Sequence, residues 1–506
     1  MGKNRFFLLA FEVKCRYIIT NFYLKEVHLI HFYFCFCEYF PSEIEVRLLR
    51  DCVHLAFKLE NERMKSILIL GAGLSASSMI RYLLDHAAEN GWMVRVVDRD
   101  LDLVKRKMNG HPNGEALSFN ALNPIERRPF IEQADLVISM LPARFHVEVA
   151  KDCIDLRKNL ITPSYISPEM HALDASAKEA GILIMNEIGV DPGIDHMSAM
   201  KIIHDIEDKG GELLAFRSFC GGLIAPESDD NPWQYKFTWN PRNVVLAGQG
   251  GAAKFIEQGE YKYIPYNQVF QRIEEISIDG FGEFDGYANR DSLSYRKTYG
   301  LDAIPTIYRG TLRRRGFCEA WNVFIELGMT DDLYVLEHSD TMTPRAFINA
   351  FLPYDPSMQI EDKFKRFLGA NRQHLFPRFE WLGLFDKNRV LGLKDATPAQ
   401  LLEKVLVEKW VMRPTDKDML VMHHDFEYRL NEYKHRLTSA MVCIGKDATF
   451  TAMSDTVGLP VAIAAKLILN NGIQLKGVTL PIQREVYTPI LEELEELGIS
   501  FTEKHY

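Results

Sequence analysis

The chain has 506 residues, 47% of them hydrophobic, and a formal net charge of −10, which describes a globular protein with room for about two to four domains. That balance, with no long basic run, excludes a general electrostatic pull toward nucleic acid or acidic membranes. Eight cysteines without metal-ligand or disulfide-dense spacing suit free thiols in a reducing compartment, with the cytoplasm as the default; no metal is expected. No stretch offers the roughly 18 uninterrupted apolar residues of a spanning helix.

Residues 1–63 hold four of the eight cysteines and the run FYFCFCEYF (32–40), without clear periodicity. We expect the polypeptide to start at Met64, directly before the first strand, with 1–63 a non-native or disordered upstream extension. The rival is a targeting segment or accessory helix pair; Glu12, Glu26, Glu43 and Glu45 speak against a transit peptide. Mass spectrometry of the native N-terminus decides between them. Cys35 and Cys37 form C-x-C and read as ordinary thiols.

From Lys65 to Arg99 the pattern is strand, glycine-rich turn, helix, strand. Ile67–Leu70 runs into Gly71, Gly73 and Ala76, a G-x-G-x-x-A turn. Gly71 permits the tight turn, Gly73 lets backbone approach a pyrophosphate, and Ala76 lets the helix starting near Leu74 pack on the strand, its N–H groups facing the anion. The second strand, 93–97, ends at Asp98, placed to grip an adenosine ribose and to repel a 2′-phosphate. Arg99 follows and is able to hold that phosphate. NAD and NADP both stay open.

Further strands are expected at 116–119, 134–140, 159–164 and 181–187 with helices between, a doubly wound parallel sheet that binds ligand outside its carboxyl ends. Asn120, Leu141-Pro142-Ala143 and Ser164-Tyr165 fall at those ends. At 186–200 the pattern breaks: Asp191-Pro192-Gly193 precedes a helix near Ile194. Asp191 either binds a substrate ammonium or caps that helix, and spacing alone favours the cap.

From Glu212 longer strands and glycine-rich loops indicate an α+β domain. Arg290, Arg309, Arg313, Arg314 and Arg315 suit a substrate with several carboxylates, although a solvated charge run is ordinarily the better explanation of three consecutive arginines, and strand neighbours face opposite ways. Residues 322–412 read as a helical insertion ending in a capping box at Thr397 and Gln400 with Pro398 at the first helical position. A hairpin, 418–430 with 435–445, completes the second sheet; His423 and His424 face opposite sides, which makes a shared metal site improbable. An apolar helix at 456–473 returns to cover the dinucleotide domain, and a solvated helix ends the chain.

Five stretches, SYISPEM (164–170), MNEIGVDPGIDHM (185–197), FCGGLIAPESDDNPWQYKFTW (219–239), YANRDS (287–292) and RGTLRRRGF (309–317), resemble the saccharopine reductase family, the NADP, L-glutamate-forming saccharopine dehydrogenases, from Met64 to the C-terminus. The resemblance implies an α/β fold: a Rossmann dinucleotide-binding domain (64–190), an α+β substrate and dimerisation domain (191–321 and 413–455) with the helical insertion (322–412), and return helices (456–506). It implies reversible, NAD(P)-dependent condensation of glutamate with 2-aminoadipate 6-semialdehyde to saccharopine, in a homodimer.

Carried over by position, the family's cofactor contacts fall on Ala72, Gly73, Leu74, Ser75, Asp98, Arg99, Asp100, Asn120, Ala121, Leu141, Pro142, Ala143, Val190, Asp191, Pro192 and Asn240. The substrate contacts fall on Ser164, Asp191, Arg290, Thr311, Leu312 and Arg313. In that light Arg290 and Arg313 look like carboxylate clamps and Asp191 like the partner of the substrate amine. Tyr165, Asp191 and Cys220 are the acid–base candidates, Cys220 equally a structural thiol. Asp98 stands where fungal members carry a neutral residue ahead of the same arginine. The alternatives are a carboxynorspermidine-type dehydrogenase, disfavoured by the cationic pocket, and a non-catalytic dinucleotide-binding scaffold.

Overall fold

The structure, a computed structural model, describes residues 64–506; the expectations for 1–63, including Cys35 and Cys37, lie outside the described residues. The run KSILIL becomes strand β1 (Lys65–Leu70), whose side chains from Ser66 onward are buried on both faces, the condition that makes parallel strands continuously apolar. After the glycine turn come α1 (Ser77–Asp85), β2 (Trp92–Val97), α2 (Leu101–Met108) and β3 (Gly114–Leu117). They continue into α3 (Pro124–Gln133), β4 (Leu136–Ser139), α4 (His146–Asp155), β5 (Asn159–Ile161) and β6 (Leu183–Met185). The chain then enters α5 (Ile194–Asp208) and the long β7 (Glu212–Ile224).

The second region contains β8 (Ala253–Glu257), β9 (Glu260–Ile264), β10 (Ile273–Ile278), β11 (Gly282–Ala288) and β12 (Thr306–Arg314). Helices α6 (Phe317–Leu327) and α7 (Pro398–Lys409) bound the helical segment, and α7 carries the expected capping box. Strands β13 (Asp418–Leu430) and β14 (Tyr433–Ile444) form the expected hairpin. Its two turn residues, Asn431 and Glu432, both have positive φ (49° and 70°), matching the right-handed twist of the strands. The chain ends with α8 (Ala452–Leu469), β15 (Gly477–Thr479), α9 (Arg484–Glu496) and β16 (Thr502–His505).

The first sheet is all parallel in the order β15-β6-β5-β4-β1-β2-β3. Strand order reverses between β1 and β4, so the ligand crevice opens at their carboxyl ends. The second sheet runs β10-β11-β12-β7-β13-β14-β16, with the β8-β9 hairpin beside β12. Its pairs are antiparallel except β12 with β7.

Two apolar cores flank the second sheet. Phe216, Ile307, Met422 and the buried face of α5 join the core that reaches under the first sheet. Phe219, Leu223, Leu312 and α6 belong to a second core rich in aromatic residues, where Trp233 packs against Phe324, Phe379 and Trp410 with ring centroids 5.4–5.7 Å apart. Helix α8 is long and apolar enough to cross a membrane by length and composition, and 67% of it is buried inside the protein, where it packs on α1. The tail differs from an all-helical return: β15 extends the parallel sheet and β16 the mixed one.

Candidate active site

Gly71 ends β1 with φ +103°, and a Cβ there would sit 3.0 Å from the carbonyl oxygen of Met140. Only glycine accepts both conditions, and the contact seats the turn at the β1–β4 switch point. Around Gly73 the space is open, with nothing within 4 Å of where a Cβ would stand. The Gly73 and Leu74 N–H groups donate to no acceptor among the described residues. An open space lined by free N–H groups at a helix start fits a pyrophosphate. Leu74 is exposed, Ser75 half-buried and Ala72 and Ala76 buried.

At the end of β2, beside that turn, Asp98 accepts the Ala72 N–H at 2.9 Å and the Asp100 N–H at 3.2 Å. Arg99 is exposed and donates to Asn120 Oδ1 at 3.1 Å. Lys107, on α2 and not singled out from the sequence, donates from Nζ to the Gly73 carbonyl at 2.6 Å. Burial brings its pKa down to about 8 against the opposing charge of Asp98. Ala121 is buried and Leu141 half-buried, while Pro142 and Ala143 stand exposed on the loop whose Met140 carbonyl faces Gly71.

Where the first sheet gives way to α5, Gly193 adopts φ +146° with its Cα packed against Gly189, leaving no space for a Cβ. Asp191 does not cap the helix. Asp195 takes the Gly193 N–H at 2.6 Å instead, and Asp191 turns toward the second sheet, flanked by buried Val190 and Pro192. Its Oδ1 accepts from the Tyr165 hydroxyl at 3.0 Å and from Arg309 Nη2 at 2.5 Å. The same Arg309 nitrogen reaches Asp195 Oδ2 at 2.6 Å, and no side chain among the described residues is bonded to Asp191 Oδ2. Burial, together with the Asp195 charge, raises the Asp191 carboxyl above its usual range although Arg309 opposes it. Burial also works on Asp195, but His196, Arg309 and the Gly193 N–H outweigh it and bring that carboxyl below its usual range.

Sequence reasoning missed the support for this pair. His196 bridges Glu187 Oε2 at 2.8 Å and the Tyr299 hydroxyl at 2.6 Å, all three buried. Tyr295 stacks between His196 and Arg309, with the guanidinium carbon 4.0 Å from its ring centroid. On the other side, His146 joins Ser139 Oγ at 2.9 Å to Ser164 Oγ at 2.8 Å. Burial lowers its pKa to about 4, so the imidazole is neutral.

Arg309, Thr311 and Arg313 alternate along β12 and share a face. Arg313 is only 4% exposed, among the rings of Tyr235, Tyr287 and Phe317. It donates from Nη1 to the Leu312 carbonyl, its Nε has no partner, and no carboxylate among the described residues pairs with it. Arg314 and Arg315 point away, toward the Phe281 carbonyl and toward Glu275 and Glu283. Arg290 is exposed with φ +30°, and its side chain has no partner among the described residues. Its loop is fixed against β12, since Asn289 N–H donates to the Arg309 carbonyl and Arg309 N–H to Ser292 Oγ, each at 2.8 Å.

Two candidates are not brought in by their side chains. Leu312 faces the second core with no exposure, because strand parity sends it opposite Thr311 and Arg313. Asn240 spends its side-chain carbonyl capping the short helix 241–245 through the Arg242 N–H at 3.0 Å. Cys220 pairs in register with Thr311 and lies in the fields of Asp191, Asp195, Arg309 and Arg313; burial and the two carboxylates push its thiol well above the ordinary value. It keeps its proton at neutral pH and is a poor proton donor. Among the described residues no cluster of His, Cys, Asp and Glu suits a metal.

Residues 67–185 match the saccharopine dehydrogenase NADP binding domain and residues 189–499 the saccharopine dehydrogenase C-terminal domain. The chain belongs to the saccharopine dehydrogenase family. It is 31% identical to the saccharopine dehydrogenase [NADP(+), L-glutamate-forming] of Pyricularia oryzae, over 87% of this chain and 99% of that one. It is 33% identical to the mitochondrial alpha-aminoadipic semialdehyde synthase of Mus musculus over 90% of this chain, spanning 49% of that protein's length. Among solved structures, the apo saccharopine dehydrogenase (L-Glu forming) of Saccharomyces cerevisiae superposes with a TM-score of 0.73 at 31% identity, covering 87% of this chain and all of that one. The family is one of oxidoreductases with a Rossmann-like dinucleotide domain, the fold expected from the glycine turn.

Proposed function

We propose that this chain is an NADP-dependent, L-glutamate-forming saccharopine dehydrogenase. The observation that carries the reading is Arg313, a buried guanidinium without a counterion on the strand face that also presents Arg309 to Asp191. Burying an unpaired cation is costly, and a substrate carboxylate relieves that cost by a charge-assisted contact. The Asp191–Asp195–Arg309 group is one negative charge in excess when both carboxylates are ionised, which suits the protonated secondary amine of saccharopine. One site thus offers a cation for a carboxylate and an anion for an amine.

In this reading residues 64–190 hold the dinucleotide, with Gly71 to Ala76, Asp98 to Asp100, Asn120, Ala121 and the 141–143 loop around it. A nicotinamide bound in the crevice supplies the hydride acceptor. Asp191, with its free Oδ2 and raised pKa, takes the proton from the substrate amine, freeing the lone pair needed for loss of hydride from the carbon that becomes the aldehyde. The protonated imine left on the substrate adds water and releases one proton to solvent; Asp191 returns its own proton to the nitrogen of the resulting carbinolamine, and the C–N bond breaks, the hydroxyl proton passing to the leaving amine, to give glutamate and 2-aminoadipate 6-semialdehyde. Tyr165 and Arg309 orient Asp191, Ser164 is fixed by His146, and Arg290 at the rim and Arg313 within hold carboxylates, Thr311 lying between Arg309 and Arg313. We also propose a homodimer and a cytoplasmic location, which the four free, buried cysteines of the described residues suit.

The test is absorbance at 340 nm with saccharopine and each of NADP and NAD, alongside carboxynorspermidine. Saccharopine oxidation is the expected result. No turnover of saccharopine with either cofactor, or faster turnover of the polyamine derivative, overturns the reading.

A further inference from the structure

We propose that Lys107 is the residue that lets the adenosine end of the crevice select a 2′-phosphate in spite of Asp98. The inference rests on the reading of the chain as an NADP-dependent dehydrogenase and concerns the point its sequence leaves open, since Asp98 by itself favours a ribose diol and Arg99 a phosphate.

Asp98 is committed to the protein. Its two oxygens accept the Ala72 and Asp100 N–H groups, so the carboxylate serves as a brace between the glycine turn and the end of β2. Its charge persists, however, and would repel a phosphate. Lys107 answers that charge. From the second turn of α2 its stem runs back toward the turn, and Nζ stops on the Gly73 carbonyl, within the field of Asp98.

No carboxylate among the described residues forms an ion pair with Lys107, whereas its neighbour Arg106 lies 3.9 Å from Asp100. Among the described residues the Arg99 guanidinium is held only by the neutral Asn120 amide. With Lys107 offsetting Asp98, the Arg99 charge is left over for a ligand. Without Lys107 the two charges at the end of β2 cancel. The ammonium is also half-buried and holds a carbonyl, a weaker partner than an anion, so a phosphate at this place gains two cationic donors, Arg99 and Lys107.

The test uses equilibrium binding of cofactor fragments, which needs neither turnover nor saccharopine. Titration calorimetry with 2′,5′-ADP and with 5′-AMP is run on the full chain and on Lys107→Met. The intact protein is expected to bind 2′,5′-ADP at least tenfold more tightly than 5′-AMP. Lys107→Met is expected to weaken 2′,5′-ADP by about 10- to 100-fold, the loss of one contact to a charged group, while 5′-AMP changes less than threefold and Lys107→Arg restores most of the discrimination. Equal weakening of both fragments would show that Lys107 only holds the turn, and would overturn the proposal. So would an unchanged 2′,5′-ADP affinity, or no preference for it in the intact protein. Should saccharopine fail as substrate while the fragments are discriminated, the function falls and this inference stands.

Discussion

Asp191 and Asp195 accept hydrogen bonds from one and the same nitrogen, Nη2 of Arg309, at 2.5 and 2.6 Å. A single guanidinium nitrogen between two buried carboxylates forces their proton affinities apart. Asp195, which also takes a backbone N–H, is held below the usual carboxylate range and Asp191 above it, so in the proposed reaction Asp191 is the carboxyl that exchanges a proton.

The two aspartates therefore fail differently when neutralised. Asp191→Asn keeps acceptors for Tyr165 and Arg309 and is expected to fold with a Tm close to that of the parent, while kcat falls by about 100- to 10,000-fold. Asp195 accepts with both oxygens, from the Gly193 N–H and from Arg309, so Asp195→Asn turns an amide NH2 toward one of these donors and is expected to cost about 1–3 kcal/mol of stability. Thermal melts and steady-state rates separate the two; an Asp191→Asn enzyme within threefold of parent activity removes Asp191 from the chemistry.

Arg313 should show function and stability in opposition. Arg313→Met replaces an unpaired buried charge with an apolar chain among Tyr235, Tyr287 and Phe317, so the melting temperature of the ligand-free protein is expected to rise. The KM for saccharopine is expected to rise about 100-fold, the loss of roughly 3 kcal/mol of charge-assisted contact. A lower Tm would mean the guanidinium is satisfied in the free protein, and an unchanged KM would place it outside the site.

The two glycines of the turn have separable duties. Gly71→Ala meets the Met140 carbonyl and a backbone conformation closed to alanine, so it is expected to destabilise the fold by more than about 1 kcal/mol. Gly73→Ala meets no protein atom and has φ −62°, so the melting curve should not move. Its Cβ would occupy the open space proposed for the pyrophosphate, and NADP affinity is expected to drop at least tenfold by fluorescence titration. Unaltered affinity in Gly73→Ala would shift the cofactor away from this turn.

How much of this was legible in the sequence follows from how local each signal is. The glycine turn, the Thr397 capping box and the 418–444 hairpin are written within a few residues and are found where expected. Asp191 was visible as a candidate, but its partner Arg309 lies 118 residues away. Strand parity indicated that some of the arginines face inward without saying which meets a carboxylate and which stays bare. Lys107 and His146 gave no signal, since a lysine on an amphipathic helix and a histidine at a helix start are ordinary until the fold brings Gly73 and Ser164 beside them. Strand β16 was hidden because TEKH is exposed throughout; backbone pairing, and no apolar alternation, defines it.

Acid stability should turn on two buried groups of opposite sign. His146 has a folded pKa of about 4 against 6.5 for the free side chain, so the unfolded chain binds its proton first and stability is lost as pH falls from about 6.5 toward 4. Asp418, which caps α8 through the Ala452 and Met453 N–H groups at 2.5 and 3.0 Å, is raised by burial to about 6 from 3.8. Here the folded protein binds the proton first, and stability is gained as pH falls from about 6 toward 4. Each shift is worth about 3 kcal/mol across its window, so the two nearly offset each other in the parent. In His146→Gln the loss on acidification is removed, and urea unfolding is expected to show a stability change from pH 7 to pH 4 that is more favourable than the parent's by about 3 kcal/mol. In Asp418→Asn the same change is expected to be less favourable than the parent's by a similar amount. Parallel pH profiles for the parent and both variants would mean that neither group changes its proton affinity on folding.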